Sequence, residues 1–287
     1  MDMLRCKPEK GYWRGDILSK LIVSANSKEH LISLLKKDID GIVLSIDKLS
    51  VNDSFYVDVD ILDEVDFLDK EVFVSLNKLM HNNDLELLRM VMNKLKSKNV
   101  KILFYDMAVF NMAKELDMVD KLVIYQDHLN ASILSNKFYY DLGIKGSFVT
   151  SDITYNELLE IKKNSGMLIM FMVYGYSPIF YSRRYLISNY LKYIKDNKKG
   201  NKYSIISDSG IEYPIDEEEY GTTIYTNKEI NLINYLDKLE DIDYIVMRSN
   251  KIEDSKFNQM VDKFINHDSI DDVYIGFFNT KTIYKVK

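Results

Sequence analysis

The sequence predicts an α/β fold, a (β/α)8 TIM-barrel-like domain or a close variant of one. Three observations carry that expectation. Eight short apolar runs rich in β-branched residues follow one another: KLIVSA from Lys20, GIVLSI from Gly41, EVFVSLN from Glu71, KILFYD from Lys101, KLVIYQ from Lys121, GSFVTS from Gly146, MLIMFMVYG from Met167 and YIVMRS from Tyr244. Segments of helical spacing alternate with these runs, the pattern of βα units around a parallel sheet. The 287 residues also suit the roughly 250 that such a barrel needs. A doubly wound open sheet would want a glycine-rich turn after the first strand, and LIVSANSKE has none.

The helical segments are expected at 28–36, 84–96, 130–142, 155–163 and 228–239. In the second of these, Leu85, Leu88, Met92 and Leu95 recur at spacings of three and four, which marks one buried face. About seventy residues separate the seventh and eighth strands, too many for a simple βα connection. An inserted subdomain is therefore expected at about 176–226. It would comprise a helix over 185–195 and a hairpin from YSIISDSGIEYPI and GTTIYT, turned at Ser209 and Gly210. The closing VYIGFFNTKTIYKVK alternates like a second hairpin, turned at Asn279, Thr280 and Lys281. The domain organisation expected is an N-terminal leader over 1–19 and one barrel-like domain over 20–287.

Composition narrows the chemistry. With 46% hydrophobic and 29% charged residues and only three prolines, the chain is globular rather than disordered. The lone Cys6 excludes an internal disulfide and any multi-thiolate zinc or iron–sulfur site within the chain. No run approaches the roughly 20 apolar residues of a membrane span, and MDMLRCKPEKGYWRGD has no apolar signal core, so no membrane partner and a cytoplasmic location are expected. A net charge of −6 argues against a generally phosphate-coating surface. From Arg183 to Lys202, however, seven basic residues stand against one acid, Asp196.

In such a barrel the working face lies at the C-terminal ends of the strands. That rule nominates Asp47, Asn77, His81, Asn82, Asp106, Gln126, Asp127, His128, Ser151, Asp152, Tyr174 and Arg248. Most of the carboxylates have a competing reading as helix caps: Asp84 or Asn83 for the third helix, Asp106 for the fourth, Asp152 or Thr154 for the sixth. His81 and His128 are two of four histidines and both follow strand ends. With Asp152 they are the candidate acid–base residues. Asn77, Asn82, Asp106, Tyr174, Arg183, Arg184, Tyr190 and Arg248 are the candidate substrate-binding set. No GxSxG, HExxH, Walker or GxGxxG motif is present, and neither a metal site nor another cofactor is predicted.

The segments VYGYSPIFYSRRYLISNY, YPIDEEEYGTTIYT and GFFNTKTIYKVK, with the earlier VSLNKLMHNNDLE and DLGIKGSFVTSDITYNELLEI, together resemble the collagenase-like peptidase family, peptidase family U32. The positions that match the family pattern are Asn77, His81, Asn82, Asp152, Gly175, Ser182, Arg184, Ser188, Asn189, Tyr190, Tyr213, Pro214, Gly221 and Thr222. At Asp152 the family's glutamate is replaced by the shorter acid. The resemblance implies a barrel and, despite the family's name, a role in RNA or quinone-precursor hydroxylation. The chain is most similar to short, cysteine-poor members, which implies a component of tRNA wobble-uridine 5-hydroxylation working with a longer paralogue. Many members carry four cysteines for an iron–sulfur cluster, and this chain has one. The alternatives are a peptidase, which would need a nucleophile or a metal, and a scaffold subunit without catalysis.

Overall fold

The computed structural model describes residues 19–126, 129–196 and 203–280. The first residues of the expected leader lie outside this range, as do Asp127, His128 and the second arm of the expected C-terminal hairpin. Eight parallel strands form the barrel: β1 (Lys20–Ser24), β2 (Gly41–Ile46), β4 (Glu71–Leu76), β5 (Val100–Phe104), β6 (Leu122–Tyr125), β7 (Gly146–Val149), β8 (Leu168–Gly175) and β14 (Tyr244–Met247). They pair in sequence order, and β1 pairs with both β2 and β14, so the sheet closes on itself. All eight sequence-predicted strands are present. Two-residue strands extend the sheet at the rim, β3 (Tyr56–Val57) parallel to β2 and β13 (Ile230–Asn231) antiparallel to β8.

The barrel strands are continuous apolar runs because both of their faces are covered, one by the barrel interior and one by helices. The helices are α1 (Lys28–Leu35), α2 (Ile61–Glu64), α3 (Leu85–Lys96), α4 (Met107–Glu115), α5 (Ile133–Asp141), α6 (Tyr155–Ser165) and α8 (Asp254–Asn266). On α3 the buried face is Leu88, Val91, Met92 and Leu95, while Leu85 is exposed at the helix start. Asp106 caps α4 through the amide of Ala108 at 2.8 Å. Thr154 and Glu157 form a capping box on α6. At the bottom of the barrel Glu71 joins three other strands, meeting Lys20, Lys101 and the Tyr244 hydroxyl. Burial pushes its carboxyl up, but the two ammonium groups outweigh burial and hold it below the usual range.

Two expectations are corrected. The segment 228–239 is not an α-helix but the short strand β13 followed by a 3₁₀ turn (Ile233–Leu239). Its backbone bonds the end of β8, with the Leu232 amide donating to Val173 O, so burial of Ile230, Leu232 and Ile233 against the sheet overrides helical spacing. The described part of the closing segment is irregular rather than a hairpin arm. Phe278 turns inward there and packs on Tyr155, Phe171 and Tyr235.

Between β8 and β14 the chain builds a second, four-stranded antiparallel sheet, larger than the expected hairpin. It contains β9 (Pro178–Ser182), β10 (Tyr203–Ile206), β11 (Glu212–Glu218) and β12 (Gly221–Tyr225) in the order β10, β11, β12, β9. Helix α7 (Leu186–Tyr193) packs on β11 and β12. We call this sheet with its helix the cap.

Two glycines allow close backbone approaches, one between barrel strands and one within the cap. Gly175, at φ +123°, leaves β8 where a Cβ would stand 2.5 Å from the Arg248 carbonyl oxygen. Gly221, at φ +142°, lies where a Cβ would stand 2.1 Å from the Ser182 carbonyl oxygen. Gly175→Ala is therefore expected to cost about 2 kcal/mol or more, from backbone strain and displacement of β14 together. Urea denaturation followed by circular dichroism measures it, and a loss within error of zero would show that β8 and β14 separate freely.

Candidate active site at the capped barrel mouth

One face of the cap looks onto the C-terminal ends of β2, β4 and β14. Alternate residues along a strand point to opposite faces, so Tyr181, Asp216, Glu218 and Thr223 lie on the face that meets the barrel. Asn52, in the loop after β2, links the cap to the end of β14. Its Oδ1 accepts from Thr223 Oγ1 at 2.5 Å, and its carbonyl accepts from Arg248 at 2.7 Å and Asn250 at 3.0 Å. The residue has φ +68°, a left-handed conformation that asparagine tolerates better than other side-chain-bearing residues.

Arg248 is buried, and its guanidinium also faces Asp53 at 3.6 Å. Asp53 accepts from the Ser45 hydroxyl at 2.6 Å, and the Asp53 amide donates to the Tyr56 hydroxyl oxygen at 3.2 Å. Tyr56 in turn donates to Glu218 of the cap at 3.1 Å. A continuous polar chain thus runs from inside the barrel through Arg248, Asp53 and Tyr56 to the cap. Asn250 adds a further link by donating to the Tyr225 hydroxyl at 3.2 Å.

Glu218 is reached by solvent but walled by protein on most sides. Burial first, then the neighbouring Asp216 and Asp53 charges, raise its carboxyl above the usual range, against the pull of Tyr56 and Lys251. Burial likewise pushes the Tyr181 hydroxyl up to about 12. Toward the β10 edge of that same face Lys251 pairs with Asp216 and lies 4.7 Å from the centre of the Tyr225 ring. There the cap overhangs a groove of about 760 Å3, lined by residues that include Tyr176, Tyr203, Pro214, Asp216, Asn227 and Lys251. Small-molecule sites span roughly 300–1,000 Å3, so the groove is of ligand size.

The other edge of the cap meets the end of β4. Arg183 lies against His81 Nδ1, which makes that nitrogen the acceptor and leaves the ring proton on Nε2. Lys78 is buried, bonds Asp84 at 2.9 Å and lies 4.2 Å from the centre of the Tyr220 ring. Asp84 also accepts from the His81 amide at 2.7 Å. Burial pushes its carboxyl up, and these two partners outweigh that and hold it below the usual value.

The predicted site residues thus divide. Arg248, Arg183 and His81 come to the capped mouth. Asn77 is buried and bonds the Val51 amide and carbonyl, which places it as a support for the loop that carries Asn52. Asp106 caps α4 and also accepts from the Met80 amide at 3.0 Å. Tyr174 turns away from the mouth, because its ring packs on Phe257 and Phe264 of α8. Asn82 is exposed in the turn before α3, and Asp152 is exposed with its amide on Thr150 Oγ1. Arg184 and Tyr190 lie on the outer surface of the cap. His128 lies outside the described residues.

Neither arginine of the cap pairs with the acidic run 216–219. Glu217 instead accepts from the Ile187 amide at 2.8 Å and the Ser188 amide at 3.1 Å, and so caps the start of α7. Thr222 Oγ1 donates to the Arg184 carbonyl at 2.7 Å, and Ser182 accepts from the Arg184 amide at 3.3 Å. These polar contacts fold the corner between β9 and α7 onto β12. Asn52, Asp53, Tyr56, Glu218 and Asn250 were not nominated from the sequence. Asn250 follows Arg248 by two residues, and a wider reading of that strand end would have included it.

The model of peptidase family U32 matches residues 29–277. The chain belongs to peptidase family U32. Among its relatives is tRNA hydroxylation protein P2 of Bacillus subtilis (strain 168), 27% identical over 193 residues. The match spans 63% of this chain and 62% of that relative. For this family member no group of three or more His, Cys, Asp or Glu side chains is placed to share a metal ion among the described residues. Nor is any helix among them long and apolar enough to cross a membrane.

The raised carboxyl of Glu218 gives a pH prediction. A folded-state value above the unfolded one means that the protonated form suits the fold, so Glu218 supports stability at low pH and loses that support as pH rises through its folded value. Relative to wild type, Glu218→Gln is expected to become progressively more stable as pH goes from 4 to 8. Urea midpoints across that range measure it, and a constant difference would show that Glu218 ionises as it does in water.

Proposed function

We propose that this chain is a component of a tRNA hydroxylation system, with the wobble uridine as the site of modification and a longer paralogue as partner. The observation that carries the reading is its similarity to tRNA hydroxylation protein P2 within a family that it matches over most of its length. The capped mouth supports a site for a small polar group: Arg248 supplies fixed positive charge, Glu218 is an acid with a raised carboxyl that can give up a proton, and Tyr56 holds that carboxyl in place with a hydrogen bond.

The peptidase reading would need a nucleophile paired with a base. His81 offers Nδ1 to an arginine rather than to an acid that would orient it as a base.

The test is nucleoside mass spectrometry of tRNA from cells with and without the gene. Loss of 5-hydroxyuridine on deletion, restoration by the wild-type gene and a reduced level with Tyr56→Phe or Glu218→Gln are expected. Unchanged 5-hydroxyuridine in a strain that also lacks every paralogue would overturn the proposal.

A further inference from the structure

The outer face of α7 is not explained by packing. Tyr190 and Tyr193 are 61% and 85% exposed, three residues apart and therefore neighbours on the helix surface. Exposed rings so open to solvent contribute little to the cap, and Ile187 alone is the buried residue of this helix. The charge around them is one-sided. Arg184, Lys192 and Lys195 have no acidic partner among the described residues. Arg183, at the lip, faces His81 rather than a carboxylate. Of the neighbouring acids, Glu217 is engaged with the start of α7, Asp216 with Lys251 and Glu218 with Tyr56, and Asp196, just beyond the helix, is not free either.

We propose that this face of the cap binds single-stranded RNA. Arg184 and Lys192 take the phosphates, Tyr190 and Tyr193 stack unpaired bases, and Arg183 at the lip leads the strand toward the barrel mouth. The choice of RNA rests on the functional reading above. The preference for unpaired strands rests on the chemistry of the face: flat, open rings need base faces that a duplex keeps stacked, and backbone cations with aromatic platforms are how such strands are held. With a net charge of −6 on the chain, nucleic-acid binding would need a locally basic surface such as this one.

Fluorescence anisotropy tests the proposal, using the purified full chain with a labelled RNA hairpin that carries an unpaired loop, and with a blunt RNA duplex. The hairpin is expected to bind more tightly than the duplex, with affinity falling as salt rises. Charge reversal by Arg184→Glu with Lys192→Glu is expected to weaken hairpin binding by about tenfold or more and to flatten the salt dependence. Tyr193→Ala is expected to weaken it by about tenfold with the salt dependence kept. Lys163→Glu on α6 serves as a control that leaves binding unchanged. The proposal is overturned if the charge reversal changes affinity by less than about twofold, if the duplex binds as well as the hairpin, or if the wild-type chain binds neither RNA. It is also overturned if charge-reversed protein restores tRNA hydroxylation fully in a deletion strain. Unchanged tRNA in a strain that lacks this gene and every paralogue would strike the functional reading instead.

Discussion

The arrangement of this protein depends on how Asn52 holds the cap to the barrel. A barrel with a seventy-residue excursion between its last two strands could leave that excursion loose. Here a single residue in the loop after β2 accepts hydrogen bonds from the cap through its side chain and from the end of β14 through its carbonyl. Arg248, Asn250 and Thr223 are all buried. Buried polar groups cost free energy unless they are satisfied, so each of these bonds is expensive to leave unmade, and together they define one position for the cap. Asn77 supports the same loop from below through Val51. The glycines at 175 and 221 let β8 lie close to the end of β14 and β12 close to the end of β9, and the Asn52 network ties the two parts together.

That geometry sets the chemistry available. Once the cap is in place, Glu218 and Tyr181 belong to a partly enclosed space with Tyr56, Asp53 and Arg248. Enclosure raises the carboxyl of Glu218 and the hydroxyl of Tyr181, because neither ionised form is well solvated there. An acid placed against a phenol above a buried guanidinium suits the binding and protonation of a small polar group. The basic and aromatic residues of the cap lie on its opposite, outward side. Recognition and chemistry would thus use two faces of one small sheet and its helix.

The barrel was legible in the sequence because each of its strands is a continuous apolar run, and continuity of that kind survives in any reading frame of the sheet. The rule that function gathers at strand ends nominated Arg248 and His81, and both lie at the capped mouth. It misplaced Tyr174, since the last residue of a strand can face either layer and here the ring is drawn to Phe257 and Phe264. Asn77 and Asp106 were found by position, but they spend their polar groups on backbone. The cap's contribution was not legible. Asn52 and Thr223 are 171 residues apart, and neither lies in a periodic pattern that would predict their meeting. The acidic run 216–219 was visible, yet which acid caps a helix, which meets a lysine and which meets Tyr56 follows only from strand pairing.

Hydrogen–deuterium exchange of wild type and Asn52→Ala tests the central claim most directly. Loss of the Thr223 bond and of the side chain that favours this backbone conformation is predicted to speed exchange in β9, β11 and β12, while β4, β5, β6 and β7 keep their protection. Unchanged exchange in the cap strands would contradict the account, because the cap would then be held by something other than Asn52.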